Sequence, residues 1–103
     1  MSSREGVVMS KSVTVELIGA ARIIAGRGEV SLTLADGATW RDAIAALARA
    51  APGLIGEVIT TDGRGLVGAY EVNLGGRAFV PDLDEGMQPP EDGRVTLMDF
   101  SDI

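Results

Sequence analysis

EVSLTLADGATWRDAIAALARAAPG, residues 29–53, decides the fold, because its hydrophobic period changes once along its length. Over Glu29–Leu34 the period is two, with Val30, Leu32 and Leu34 on one side and Ser31 and Thr33 on the other, as in a half-buried strand. Asp36-Gly37 supplies turn chemistry. Thr39 then stands at a helix N-cap position, and Asp42, three residues on, completes a variant of the capping box. From there Trp40, Ala43, Ile44, Leu47 and Ala51 fall on one stripe at helical spacing, while Arg41, Asp42 and Arg49 lie off it. Six alanines between 43 and 51 raise the intrinsic helix propensity. Pro52-Gly53 stops the helix.

Period-two segments flank this strand–helix unit. Ser12–Ile18 alternates, with Val13, Val15 and Leu17 inward and Thr14 and Glu16 outward. Between it and Glu29 a turn or short helical piece around Arg22–Ala25, with two glycines, reverses the chain and predicts an antiparallel hairpin. After the helix, Leu54–Ile59 is a candidate short helical turn and Thr60–Gly68 a glycine-rich exposed loop. Ala69–Leu74 alternates again, Gly75-Gly76 suits a two-residue hairpin turn, and Arg77–Val80 is expected to pair back. A polar connection, 81–92, leads to a closing strand, Arg94–Phe100. Two strands, one main helix and three strands predict an α+β fold with the helix on one sheet face.

The chain has 103 residues, a single-domain length, with 46% hydrophobic and 23% charged residues. A flexible polar lead is expected over 1–11 and one domain over 12–103. No segment approaches the roughly 20 apolar residues of a membrane span, and Met1–Lys11 lacks a signal-peptide core. A cytoplasmic location, without membrane contact, is the expectation. There is no cysteine and no histidine. Disulfides, thiolate and imidazole metal sites, cysteine nucleophiles and histidine-based triads are therefore excluded.

The net charge is −6 and unevenly placed. Residues 1–81 hold eight acids and eight bases, whereas 82–103 hold seven acids against Arg94 alone. Nucleic acid is therefore not an expected partner, and no basic stripe offsets the acidic end. A basic partner surface is its complement, and a merely solvated acidic surface is the alternative.

Two motifs are decoys. Gly63-Arg64-Gly65-Leu66-Val67-Gly68 satisfies G-x-G-x-x-G, but a polar turn precedes it and a strand follows, so no helix N-terminus receives a pyrophosphate. Asp82-Leu83-Asp84-Glu85-Gly86 with Glu91 has a calcium-loop flavour, but its glycine comes early and Pro89-Pro90 interrupts it. With no candidate nucleophile–base pair, neither an enzyme activity of its own nor a cofactor is expected. Trp40 is expected in the core. If Val95 and Leu97 face inward, Met98 and Phe100 lie on the outer sheet face as an apolar docking surface.

The element order resembles the ubiquitin-like β-grasp fold, a ββ-helix-βββ mixed sheet, and more narrowly the MoaD/ThiS family of sulfur carriers in molybdopterin and thiamine synthesis. The resemblance runs from about position 12 to 100. It is carried by Val13–Leu17 with Arg22–Gly26, by Leu34-Ala35-Asp36-Gly37-Ala38-Thr39-Trp40-Arg41-Asp42 entering the helix, and by Ala51-Pro52-Gly53-Leu54 leaving it. Val72-Asn73-Leu74-Gly75-Gly76 and Glu91-Asp92-Gly93-Arg94-Val95-Thr96-Leu97 complete it. Family carriers end in a Gly-Gly whose carboxylate is adenylated and thiolated, whereas this sequence ends Phe100-Ser101-Asp102-Ile103. The expectation is a non-catalytic protein-binding module, a small subunit or adaptor of a larger metabolic enzyme. Its contact residues would be Met98, Phe100, Ser101, Asp102 and Ile103, against a basic or apolar groove. The alternative is a conventional sulfur carrier whose terminal glycines the given sequence lacks.

Overall fold

The computed structural model describes residues 10–35, 37–68, 70–74, 79–80, 82–86 and 93–99. Strand β1 spans Ser10–Leu17, two residues earlier than the alternation indicated, and β2 spans Glu29–Ala35. They pair antiparallel with Val13 opposite Leu32 and Val15 opposite Val30, so the apolar sets share one face. Helix α1, Ala20–Ala25, makes the reversal, and Gly26 ends it in the left-handed conformation, φ 76°, that side chains resist. Helix α2, Trp40–Ala50, follows β2. Strands β3, Tyr70–Asn73, and β4, Arg94–Asp99, close the sheet.

The sheet order is β2-β1-β4-β3. Its two central strands, β1 and β4, run parallel with Leu17 opposite Leu97, and β3 pairs antiparallel with β4. The first and last strands thus lie side by side, as expected for a β-grasp. The expected return strand Arg77–Val80 is described only at Phe79 and Val80. Phe79 bridges Asn73, and the Val80 N–H donates to the Val72 carbonyl.

Alternation explains the core. Val13, Val15, Leu17, Val30, Leu32, Leu34, Val72, Val95 and Leu97 all point to the face that α2 covers. From α2 come Trp40, Ala43, Ile44, Leu47 and Ala48, all buried, so Trp40 is a core residue. The Thr39 hydroxyl accepts from the Asp42 N–H at 3.2 Å, and Asp42 Oδ2 accepts from the Thr39 N–H at 2.9 Å. At the other end Arg27 donates to the Ala50 carbonyl at 2.7 Å, placing a cation where the helix dipole is negative.

Pro52 starts a 3-10 turn, Pro52–Leu54, rather than the later helical turn expected over 54–59. Its last residue Leu54 and, beyond it, Val58 and Ile59 are fully buried, and Ile59 bridges Leu66 inside the glycine-rich segment. That segment is therefore anchored at its apolar residues. Its hairpin closes where Asp62 accepts from the Thr60 hydroxyl and the Arg64 N–H, with Gly63 at φ 75°. The next described element is a strand, β3, and not the helix N-terminus a dinucleotide motif needs.

The capping box makes a direct prediction. Thr39→Ala is expected to lower unfolding stability by about 1 kcal/mol in chemical denaturation, since the Asp42 N–H in the first turn of α2 loses its side-chain acceptor. A change within experimental error would remove the box from the account of α2.

Candidate functional site

Among the described residues no group of three or more Asp, Glu, His or Cys side chains could hold a metal ion. Asp82, Asp84 and Glu85 do not converge on a cation position. Instead Asp84 receives the Arg41 guanidinium at 2.5 Å, the Arg41 backbone N–H donates to the Leu83 carbonyl, and Gly86 bridges Thr39. The acidic segment 82–86 is thus tied to the start of α2. The ion pair itself adds little, because both groups are well exposed.

Among the described residues two carboxyls are perturbed. Asp42 lies below the ordinary carboxylate range, chiefly because the Thr39 backbone N–H donates to it, with help from the Thr39 hydroxyl and, more weakly, Arg64. Asp62 is lowered by the Thr60 hydroxyl and then by the Arg64 N–H. Both are hydrogen-bonded ends of turns, each held by its own local donors rather than by a second acid. For Asp42 the folded carboxyl titrates below the unfolded value of about 3.9. Its contribution to stability is complete above that pH and is lost as pH falls through the folded value. Asp42→Asn is therefore expected to destabilise near neutrality and to converge with the wild type in strong acid. Parallel stability curves across that range would contradict the assignment.

The sheet face away from α2 carries the side chains that alternate with the core set. On β4, Val95 and Leu97 are buried, and the alternate residues Arg94, Thr96 and Met98 occupy the opposite face, each half-buried. Arg94 makes an ion pair with Glu29, and Thr96 donates to Glu16 at 3.4 Å. Met98 lies opposite Glu71 of β3. Of the five residues expected to bind a partner, Met98 is therefore placed on the outer face. Phe100, Ser101, Asp102 and Ile103 lie outside the described residues.

Sequence alone missed Met98's neighbour. The Ile18 N–H donates to the Leu97 carbonyl at 3.3 Å. That bond holds Ile18, the residue after β1, next to the chain of β4 one residue before Met98. Ile18 is 39% exposed, and five residues further on, in α1, Ile23 is 82% exposed. The large exposed hydrophobics among the described residues are all isoleucines: Ile18, Ile23, Ile24 and Ile55. Three of them sit in or next to α1. The signal was present as an Ile-Ile pair with only alanines, Ala20 and Ala21, at helical spacing. A six-residue helix is too short for periodicity to reveal it.

No protein-family model matches the chain. No curated protein sequence matches it either. Solved structures do. The crystal structure of SAMP1 from Haloferax volcanii superimposes with a TM-score of 0.71 at 26% identity, over 85% of this chain and 93% of that one. A crystal structure of H. volcanii small archaeal modifier protein 1 gives 0.68 at 26% identity, over 84% and 94%. The solution structure of the H. volcanii HVO 2177 protein gives 0.60 at 24% identity, over 85% and 81%, a likeness of fold alone. The α+β, ubiquitin-like β-grasp architecture is thereby shown. Among the described residues no helix is long and apolar enough to cross a membrane.

Proposed function

We propose that this ubiquitin-like chain acts as a non-catalytic protein-binding module, a small subunit or adaptor that docks on a larger protein through the outer sheet face at Met98. The observation that carries the reading is Met98 on the outer face of β4, with exposed Ile18 hydrogen-bonded to the adjacent Leu97 carbonyl, at the end of the strand from which residues 100–103 follow in sequence. Unpaired apolar side chains beside a polar sheet surface favour association with another protein. Phe100, Ser101, Asp102 and Ile103 extend the contact, and a basic or apolar groove on the partner is its complement. Fold likeness to a modifier protein agrees with action through protein partners, although fold alone assigns no chemistry.

The experiment is purification of the tagged chain from its natural host in three forms: wild type, Met98→Asp and Phe100→Asp. A stoichiometric partner is expected with the wild type and absent with both variants, whose folds are verified by circular dichroism. Undiminished co-purification with both would displace the docking surface from this face.

The SAMP1 likeness also favours a second reading, a sulfur carrier or protein modifier of the kind the MoaD/ThiS resemblance implies. That function requires ATP-dependent adenylation of a terminal carboxylate by an activating enzyme. Its signature is release of pyrophosphate on addition of the host's activating enzyme.

A further inference from the structure

Three of the exposed isoleucines take no part in the Met98 face. Ile23 is 82% exposed, and Ile24 and Ile55 are each more than a third exposed. Two packed elements carry them. Helix α1 sits on the 3-10 turn Pro52–Leu54, and Ile55 follows that turn directly. The approach is closest at Gly53, where a Cβ would lie 3.5 Å from the Ile24 carbonyl oxygen. Pro52, Gly53 and Gly56 are exposed, and a Cβ on Gly56 would meet open space. The glycines thus leave a shallow shelf around Ile55, and Ile23 stands as a knob one residue from its edge.

Charge is divided across the knob. Arg22 and Ile24 are about 200° apart around α1, with Ile23 between them. Ile24 meets Gly53 on the shelf side, while the Arg22 side chain lies over Gly28 on the other. Glu57 belongs to the shelf side, its N–H donating to the Leu54 carbonyl. Arg22 and Glu57 are both exposed, and neither side chain is hydrogen-bonded or ion-paired to another described residue. Arg22 shares a cleft with Glu16 and Glu29, but Glu29 is taken by Arg94 and Glu16 accepts from the Thr96 hydroxyl. The order across the surface is cation, apolar knob, apolar shelf, anion.

We propose that this surface is a self-complementary contact through which two copies of the chain associate about a two-fold axis. A two-fold axis beside Ile23 brings each side of the patch against the opposite side of the second copy. Each Ile23 would then rest on the other copy's shelf, and each Arg22 would meet the other copy's Glu57. A partner of one charge sign would satisfy only half of this pattern, whereas a second copy satisfies all of it. Three isoleucines and a proline cover less than the roughly 800 Å² per partner of a standard interface, so the dimer is a weak one, with Kd on the order of 100 µM. The contact uses neither Met98 nor Ile18, so it and the docking face fail separately.

The test is sedimentation velocity of the full chain from about 10 µM to about 1 mM, across the expected Kd. A reversible monomer–dimer equilibrium is expected. Ile23→Asp should leave a monomer throughout, and the exposure of Ile23 keeps that change out of the core. Gly53→Leu fills the shelf at an ordinary contact distance in the free chain and should do the same. If that variant unfolds, the Ile23 and charge arms decide. Arg22→Glu and Glu57→Arg should each weaken the dimer about tenfold, because the pair occurs twice, and the double exchange should restore it. A chain that stays monomeric at about 1 mM, a dimer indifferent to Ile23→Asp, a double exchange that restores nothing, or assembly running past two copies would each overturn the proposal.

Discussion

Leu97→Ala is expected to cost about 2–5 kcal/mol, the largest loss of stability from any single change considered. Leu97 is 1% exposed, in one of the two central strands, opposite Leu17 on one side and Val72 on the other. Its side chain borders a small apolar cavity of about 20 Å³, shared with Val15, Trp40, Ile44 and Leu47. Truncation enlarges that void, and the two flanking strands are hydrogen-bonded in place, which limits collapse around it. A domain of this size holds about 5–15 kcal/mol in all. The melting temperature should therefore fall by roughly 10–20 °C. Thr33→Ala, on the exposed face of β2, should change stability by less than about 0.5 kcal/mol. Equal effects of the two would mean that β4 does not close the core.

Met98→Asp is expected to weaken partner binding by at least about 2 kcal/mol, roughly thirtyfold, while leaving the fold intact. The asymmetry follows from position. Met98 is on the outer face, half-buried, so an aspartate there meets solvent in the free chain. In a complex the same carboxylate would be desolvated beside Glu71, its cross-strand neighbour. Ile18→Asp should behave similarly, because Ile18 is held next to the chain of β4. Calorimetry with the isolated partner measures both. Unchanged affinity in Met98→Asp and Ile18→Asp would move the interface elsewhere.

The architecture was legible where local chemistry and periodicity agree. Thr39 and Asp42 announce the start of α2, and both capping bonds form. Val13, Val15 and Leu17 announce an inward face. Strand partners were not written there, since alternation assigns a face but not a neighbour. That β1 lies parallel to β4, and that β2 is left at an edge beside α2, emerges from packing across some 80 residues of sequence. The Ile59–Leu66 bridge was hidden because one isolated pair leaves no period inside a glycine-rich stretch. The Asp84–Arg41 pair was hidden because charge runs do not name their partners. At the candidate site, alternation from Val95 and Leu97 was enough to place Met98. Ile18 needed the parallel register before its exposure meant anything.

The most direct test of the docking account is the mass of the chain isolated from its natural host, first under native conditions and then denatured. The account predicts a native mass of chain plus protein partner that separates on denaturation into an unmodified polypeptide and the intact partner. A thiocarboxylate, an adenylate or a covalent conjugate to another protein would contradict it, and would assign the chain to sulfur transfer or protein modification instead.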